Sequence, residues 1–281
     1  MKIRSLYLIS ALLLVIILLT SMMGCSGGGS NVKGITVQNV GEKVRTALQS
    51  LHSYEADMEM AANVEGVVEG QTMALKMSAK ANGAMDLEAK KSGTEMAISV
   101  TGKAGTEKVD QTTKTSTYII EDTAYVGTAD ESGKMTWKTQ SAPSSTWDQQ
   151  QQTQQMMSLL DSSNIKYLKS EKVQSTQCYL VELDPDLNLL WNFIMQQMGS
   201  SSPDMDTSQL SNAIKEATVK YWFDQDTLFF RKVYVYIDME MDAEMLGAKS
   251  GSVKYIIELT SDFNKYNTNM NIQLPAEATE D

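Results

Sequence analysis

Tyr54-Glu55-Ala56-Asp57-Met58-Glu59-Met60 decides the fold. Tyr54, Ala56, Met58 and Met60 alternate with Glu55, Asp57 and Glu59, so one side of an extended chain is apolar and the other is charged. The same period returns at Met73, Leu75, Met77 and Ala79, set against Lys76, Ser78 and Lys80. Asn82-Gly83 comes next and predicts a tight turn, because both residues tolerate positive φ. Met85, Leu87 and Ala89 then return on the following strand against Asp86, Glu88 and Lys90. Met96, Ile98 and Val100 continue beyond Ser92-Gly93. The expectation is an antiparallel meander with one buried face and one wet face.

Shorter strands are expected at 117–120, 124–127 and 135–138, and a hairpin at 167–170 and 178–183. The last third predicts long ribbons at 219–223, 228–241 and 253–263, with a turn at Asp224-Gln225-Asp226 and a final short strand at 271–274. Helical spacing appears in four places. Residues 36–52 place Val40, Val44, Ala47, Leu48 and Leu51 on one face. The Gln-rich segment 147–160 carries Trp147, Met156, Leu159 and Leu160 as docking residues. Asp184-Pro185 caps a helix with a wide stripe of Leu187, Leu190, Trp191, Ile194, Met195 and Met198. A short helix at 208–216 completes the set. The class is α+β: a large curved antiparallel sheet of about ten strands with helices packed on its concave face.

The N-terminus has the order of an export signal. A basic start at Lys2 and Arg4 leads into an apolar run from Leu6 to Leu19, then Gly24-Cys25 and a Gly/Ser-rich stretch. Gly24-Cys25 resembles the lipobox of prokaryotic lipoproteins, in which the cysteine is acylated and becomes the new N-terminus. Met22 and Met23 stand where leucine and a small residue are usual. The other reading is an uncleaved anchor, since 6–23 reaches the lower limit for a membrane span. The expected organisation is a signal peptide over 1–24, a tether over 25–34, one domain over 35–278 and an acidic tail over 279–281. In either case the domain lies outside the cytoplasm, tethered to a membrane face.

Cleavage before Cys25 leaves about 257 residues, and the loss of Lys2 and Arg4 takes the formal charge from −11 to −13. Such an acidic chain repels phosphate backbones and anionic headgroups, so nucleic acid is excluded as a partner and attachment falls to acyl chains. With Cys25 consumed by lipid, Cys178 has no disulfide partner and is expected as a buried thiol.

No catalytic constellation is present in the sequence. The single histidine, His52, has no cysteine or zinc partner, and G-x-S-x-G, phosphate-loop and metal-ligand spacings are absent. Glu55, Asp57 and Glu59 read as a solvated sheet face. Asp224-Gln225-Asp226 lacks the later ligands of a calcium loop. The expectation is a chain with no enzymatic activity, no cofactor and no bound metal.

The order of residues is similar to that of a known family. An N-terminal helix leads into Ser53-Tyr54 and a long meander. Near the other end, Lys220-Tyr221-Trp222-Phe223-Asp224 precedes a polar turn and a long strand. Asp262-Phe263-Asn264-Lys265-Tyr266-Asn267 then leads to Asn271-Ile272-Gln273-Leu274-Pro275-Ala276-Glu277-Ala278. This resembles the LolA/LolB and LppX/LprG group of envelope lipid carriers. The resemblance implies a half-open antiparallel barrel whose helices close over an apolar cavity, and a role in holding the acyl chains of lipoproteins or glycolipids in transit.

Methionine is the unusual residue, with 19 in the chain. Its flexible, polarisable side chain suits irregular or variable apolar partners. One reading of the methionine-rich faces is an ordinary core; the other is an adaptable acyl-chain cavity. For the second, the expected lining is Met58, Met60, Leu75, Met77, Met85, Leu87, Ile98, Val235, Ile237 and Met239. Leu190, Trp191 and Ile194 would form the lid. The leading expectation is a lipid-anchored extracytoplasmic lipoprotein that binds acyl chains or lipids. The alternative is a non-catalytic envelope sensor or scaffold with a closed core and an unidentified protein partner.

Overall fold

A computed structural model describes residues 34–130, 132–142, 144–147, 160, 164–187, 190, 213–246 and 248–279. Its first hairpin follows from the alternation. Strands β1 (Ser53–Val68) and β2 (Gln71–Asp86) pair along their whole length and leave only Glu69-Gly70 as the loop. Both loop residues have positive φ, +50° and +77°, the geometry that matches strand twist in a two-residue hairpin.

This corrects the turn expected at Asn82-Gly83, which lies inside β2 opposite Asp57 and Ala56. The reason is facial matching. Partners across a hairpin share a face. A two-residue turn at 82–83 would set Met85 against Lys80 and split the apolar residues between the two faces. The turn at 69–70 sets Met60 against Ala79, Met58 against Ala81 and Tyr54 against Met85. Leu87 is consequently a turn residue, its N–H donating to the His52 carbonyl at 2.9 Å.

The meander continues through β3 (Lys91–Ala104), β4 (Glu107–Ile120), β5 (Thr123–Ala129) and β6 (Met135–Ser141). On the other side of the connection come β7 (Asn164–Val173), β8 (Thr176–Asp184), β9 (Ile214–Asp224), β10 (Phe230–Asp242) and β11 (Gly251–Asn264). All eleven form one antiparallel sheet in the order β6-β5-β4-β3-β2-β1-β11-β10-β9-β8-β7. Two meanders therefore join at the β1–β11 pair, and β6 and β7 are left as opposite edges. The sheet is open, as a curved half-barrel requires.

Other expectations shift. β4 begins ten residues before the expected strand at 117, because backbone pairing with β3 carries a segment that has few apolar side chains. Ile214 and Glu216, expected in a helix, lie in β9 and pair with Met239 and Asp238 of β10, with a bulge between them. Leu228 is a turn residue with φ +58°, and β10 starts at Phe230. Residues 271–274 form no strand; Ile272 is instead buried beside Gly93 on the outer side of β3. Helix α1 (Val40–Leu48) buries Val40, Val44 and Leu48. The expected helix at 147–160, and the one starting after Pro185, fall mostly outside the described residues. For the latter, Leu190 N–H donates to the Asp186 carbonyl at 2.9 Å.

Two apolar clusters cover the inner face. One joins Met60, Val64, Leu75, Met77, Ile98, Val100, Met239, Tyr255 and Ile257 with Leu190 and Ile214. The other joins the α1 stripe with Tyr54, Met85, Val181, Tyr221, Phe223, Phe230 and Phe263. Within it, the Phe223 and Phe230 rings lie 4.7 Å apart at their centroids.

Candidate functional site

The ten residues expected to line a cavity all face inward, but they divide between the clusters. Met58, Met60, Leu75, Met77, Ile98, Ile237 and Met239 share the first, and Met85 and Leu87 belong to the second with α1. Val235 is half-buried and packs against both. The other nine are at most 8% exposed, so each spends most of its surface on neighbouring side chains. Of the lid residues, Leu190 is buried in the first cluster. Trp191 and Ile194 lie outside the described residues, as does Cys25.

Where the clusters meet, the inner face is built from small residues: Ala56, Ala79, Ala81, Gly83 and Ser261. Within the first cluster, beside these residues, runs a narrow seam lined by Met58, Met60, Ala79, Ala81 and Leu259, too tight to admit a water molecule. Beyond β3 the same face changes character. The inward positions of β4 are Val109, Gln111, Thr113, Thr115, Thr117 and Ile119, and they lead to Thr128 and Thr136 on β5 and β6. Gln111, Thr113, Thr128 and Thr136 are exposed. The face thus runs from methionine and alanine to threonine hydroxyls, and at the β6 edge it also carries the exposed Lys138, which shares the inward parity of Thr136.

Sequence reasoning missed two inward polar groups. Ser261 and Tyr255 are fully buried, and their hydroxyls have no hydrogen-bond partner among the described residues. A signal was available: both occupy the inward parity of the ribbon 253–263.

The outer face is charged over β1 to β4, while a small apolar cluster of Cys178, Leu180 and Trp222 is buried on the outer side of β8 and β9. Glu59 pairs with Lys80 at 2.7 Å, and that lysine lowers the carboxyl's pKa. Glu55 pairs with Lys265 at 2.8 Å. A groove of about 600 Å³ opens between Asp57, Glu59, Lys80, Glu95 and Lys114. Asp262 shares this face, and burial followed by the neighbouring Asp57 and Glu59 raises its pKa against the lowering effect of Lys232. Asp224 makes the expected turn. Its Oδ1 accepts from the Asp226 and Thr227 N–H groups at 2.8 and 3.1 Å, and its Oδ2 accepts from Arg231 at 3.0 Å. His52 Nδ1 lies 3.3 Å from Glu88 on the surface. Cys178 is buried, and burial pushes its thiol pKa up. Among the described residues, no group of three His, Cys, Asp or Glu side chains is placed to hold a metal ion, and no helix is long and apolar enough to cross a membrane.

Several solved structures align with most of this chain at low identity. LprF from Mycobacterium bovis aligns at 12% identity over 85% of this chain and 97% of its own, with a TM-score of 0.41. A putative outer membrane lipoprotein-sorting protein domain from Vibrio parahaemolyticus aligns at 10% identity over 84% and 95%, with a TM-score of 0.21. A DUF1329 family protein from Desulfovibrio piger aligns at 9% identity over 84% and 93%, with a TM-score of 0.24. At these values the likenesses assign no function. No curated protein matches the sequence. Residues 36–281 match the model of the family of unknown function DUF6612, and the chain belongs to that family.

Proposed function

We propose that this chain is a lipid-anchored, extracytoplasmic lipoprotein that binds acyl chains on the inner face of its half-barrel, without catalysis. The observation that carries the reading is the inner face itself: an open sheet, methionine-rich and apolar over β1, β2, β3, β10 and β11, that becomes polar on β4–β6, where Thr113, Thr115, Thr117, Thr128, Thr136 and Lys138 face inward. An amphiphile has that same division. Burying a methylene contributes about 0.8 kcal/mol, so one acyl chain gains on the order of 10 kcal/mol before association and ordering costs are subtracted. Methionine side chains are flexible enough to repack around an entering chain.

The proposed anchor rests on Gly24-Cys25 after the apolar run. Metabolic labelling with a fatty acid should mark the wild type and leave Cys25→Ser unlabelled; equal labelling of both refutes the anchor. For the ligand, the test is native mass spectrometry of the gently purified protein. A co-purifying lipid mass is the expected result.

A second reading, a closed-core sensor or scaffold, is favoured by one observation. Nine of the ten expected lining residues are packed against neighbours, and the seam within the first cluster is tighter than a water molecule. A single protein mass with no adduct, and no uptake of a labelled acyl chain, would establish this reading and end the first.

A further inference from the structure

We infer that the groove across the outer face of β1–β4 is a second binding site, and that its ligand is an uncharged oligosaccharide. The inference concerns the face opposite the proposed acyl site and goes beyond acyl binding. It shares with that reading only the extracytoplasmic placement, which puts envelope glycans within reach.

Two neighbouring rows of outward side chains build the groove. Asp57, Asn82, Glu95 and Ser116 stand side by side on successive strands. Glu59, Lys80, Ala97 and Lys114 form the next row. Both rows line the groove. Ala97 and Ser116 are the low points of its floor, with longer side chains on either side. Crossing from β1 to β4 takes about 14 Å at the ordinary strand spacing. The volume, about 600 Å³, is that of a small-ligand site. Met135 closes the end toward β6. A Cβ at Gly127 would meet Met135 Cε at 2.7 Å and Trp137 Cη2 at 2.9 Å, so both side chains lie over bare backbone there.

Asn82 and Lys114 set this surface apart from a merely solvated sheet face. Opposite charges on paired strands satisfy each other, as Glu59 and Lys80 do at 2.7 Å. Asparagine is depleted from strands, yet Asn82 lies well inside the 16-residue β2. It is exposed, and its amide makes no hydrogen bond among the described residues. Lys114 is exposed too, and has no ion pair among them. Glu95, between these two, is positioned by the Tyr118 hydroxyl, which donates to it at 3.2 Å. The groove therefore presents a held acceptor flanked by two free donors.

Charge selects the ligand class. The lining carries three carboxylates, Asp57, Glu59 and Glu95, against two ammonium groups, Lys80 and Lys114. The carboxylates and the chain's net charge of −11 repel a polyanion. The two lysines oppose a polycation. An apolar ligand would strip water from five charges without replacing its hydrogen bonds. A sugar hydroxyl both donates and accepts, so an uncharged glycan satisfies both signs and imports no charge of its own. The C–H face of a sugar ring is apolar and has Met135 to pack against.

The test titrates the full chain, held in amphipol, with tetrasaccharides of glucose and of N-acetylglucosamine as neutral probes and a heparin tetrasaccharide as the acidic one. Melting temperature is measured in parallel. One neutral probe or both should bind more tightly than heparin. Asn82→Ala and Lys114→Ala should each weaken that binding by about three- to tenfold, the loss of one hydrogen bond, at an unchanged melting temperature. Lys76→Ala, on the outer face of β2 but outside the groove, should leave it unchanged. Binding of neither neutral probe, tighter binding of heparin, or equal losses in all three variants overturns the inference. A loss of affinity that appears only with a fallen melting temperature overturns it as well. A labelled acyl chain should not compete with the sugar. Competition would place the sugar on the inner face and overturn the groove while acyl binding stands, whereas sugar binding without any acyl uptake would remove the acyl reading alone.

Discussion

Asn267 ties the beginning of the sheet to its end. Its Oδ1 accepts from the His52 N–H at 2.7 Å, and its Nδ2 donates to the Ser50 carbonyl at 2.8 Å. The Ser53 hydroxyl adds a bond to the Thr268 carbonyl at 2.6 Å. Asn267 of the C-terminal motif therefore fixes the junction between α1 and β1. Asn267→Gly keeps the left-handed backbone, φ +53°, but loses both side-chain bonds. It should cost about 1–3 kcal/mol in urea unfolding; a change near zero would show that the junction does not depend on them. Single groups also set a pH response. Burial holds the phenols of Tyr221 and Tyr255 well above the usual tyrosine range. The unfolded chain ionises near pH 10, so the neutral folded form contributes stability that is complete below that value and is lost as pH rises toward the raised folded pKa. Urea midpoints should fall above about pH 10 in the wild type, and the fall should be shallower in Tyr221→Phe. Tyr255→Phe should also flatten the alkaline fall at little cost near neutrality, since the Tyr255 hydroxyl has no partner among the described residues.

Strand turns separate what was legible from what was not. The period of two at 54–60 and 73–79 foretold β1, β2 and their faces, because one face must be buried. Asn82-Gly83 misled because local turn preference was read without the facial consequence. Glu69-Gly70 carries the real turn, although its first residue is a poor turn former. β4 was seen only at its end, since a strand with a polar face gives no alternation to detect. The inward parity of 253–263 is legible, yet the full burial of the Ser261 and Tyr255 hydroxyls depends on which residues surround them. Glycine substitutions test these placements. A Cβ at Gly83 would meet Thr94 Oγ1 at 3.1 Å, a side-chain atom able to shift. Gly83→Ala should therefore change stability by less than about 1 kcal/mol in either direction. At Gly66 a Cβ would collide with the Ser252 carbonyl oxygen and lie 2.8 Å from Val253 Cα, both backbone. Gly66→Ala should force β1 and β11 apart and cost about 1–3 kcal/mol or more. Thermal melts of the two variants side by side decide the matter; a severe Gly83→Ala defect would restore a turn at that site.

Across the whole molecule, the order of strands places the first and last of them together at the centre. The edges are β6 and β7, and β7 carries Lys166, Lys169 and Lys172, charges that discourage pairing with another chain. The central β1–β11 pair joins Glu55 to Asn264 and Val68 to Gly251, the longest closure in sequence among the strand pairs. By contrast, β1 to β4 are linked by short loops, and β2, β3 and β4 pair only with sequence neighbours. Loop closure is paid before distant contacts reward it. The first meander should then form early and β11 should dock late. Ile98 on β3 and Ile257 on β11 are both buried on the inner face, so Ile→Val at each removes the same methylene for about 0.5–1.5 kcal/mol. Stopped-flow denaturant jumps separate the effects. Ile98→Val should slow folding, and Ile257→Val should mainly speed unfolding. If Ile257→Val slowed folding by its full stability loss while Ile98→Val left the folding rate untouched, the central pair would be the nucleus and the order of assembly would be reversed.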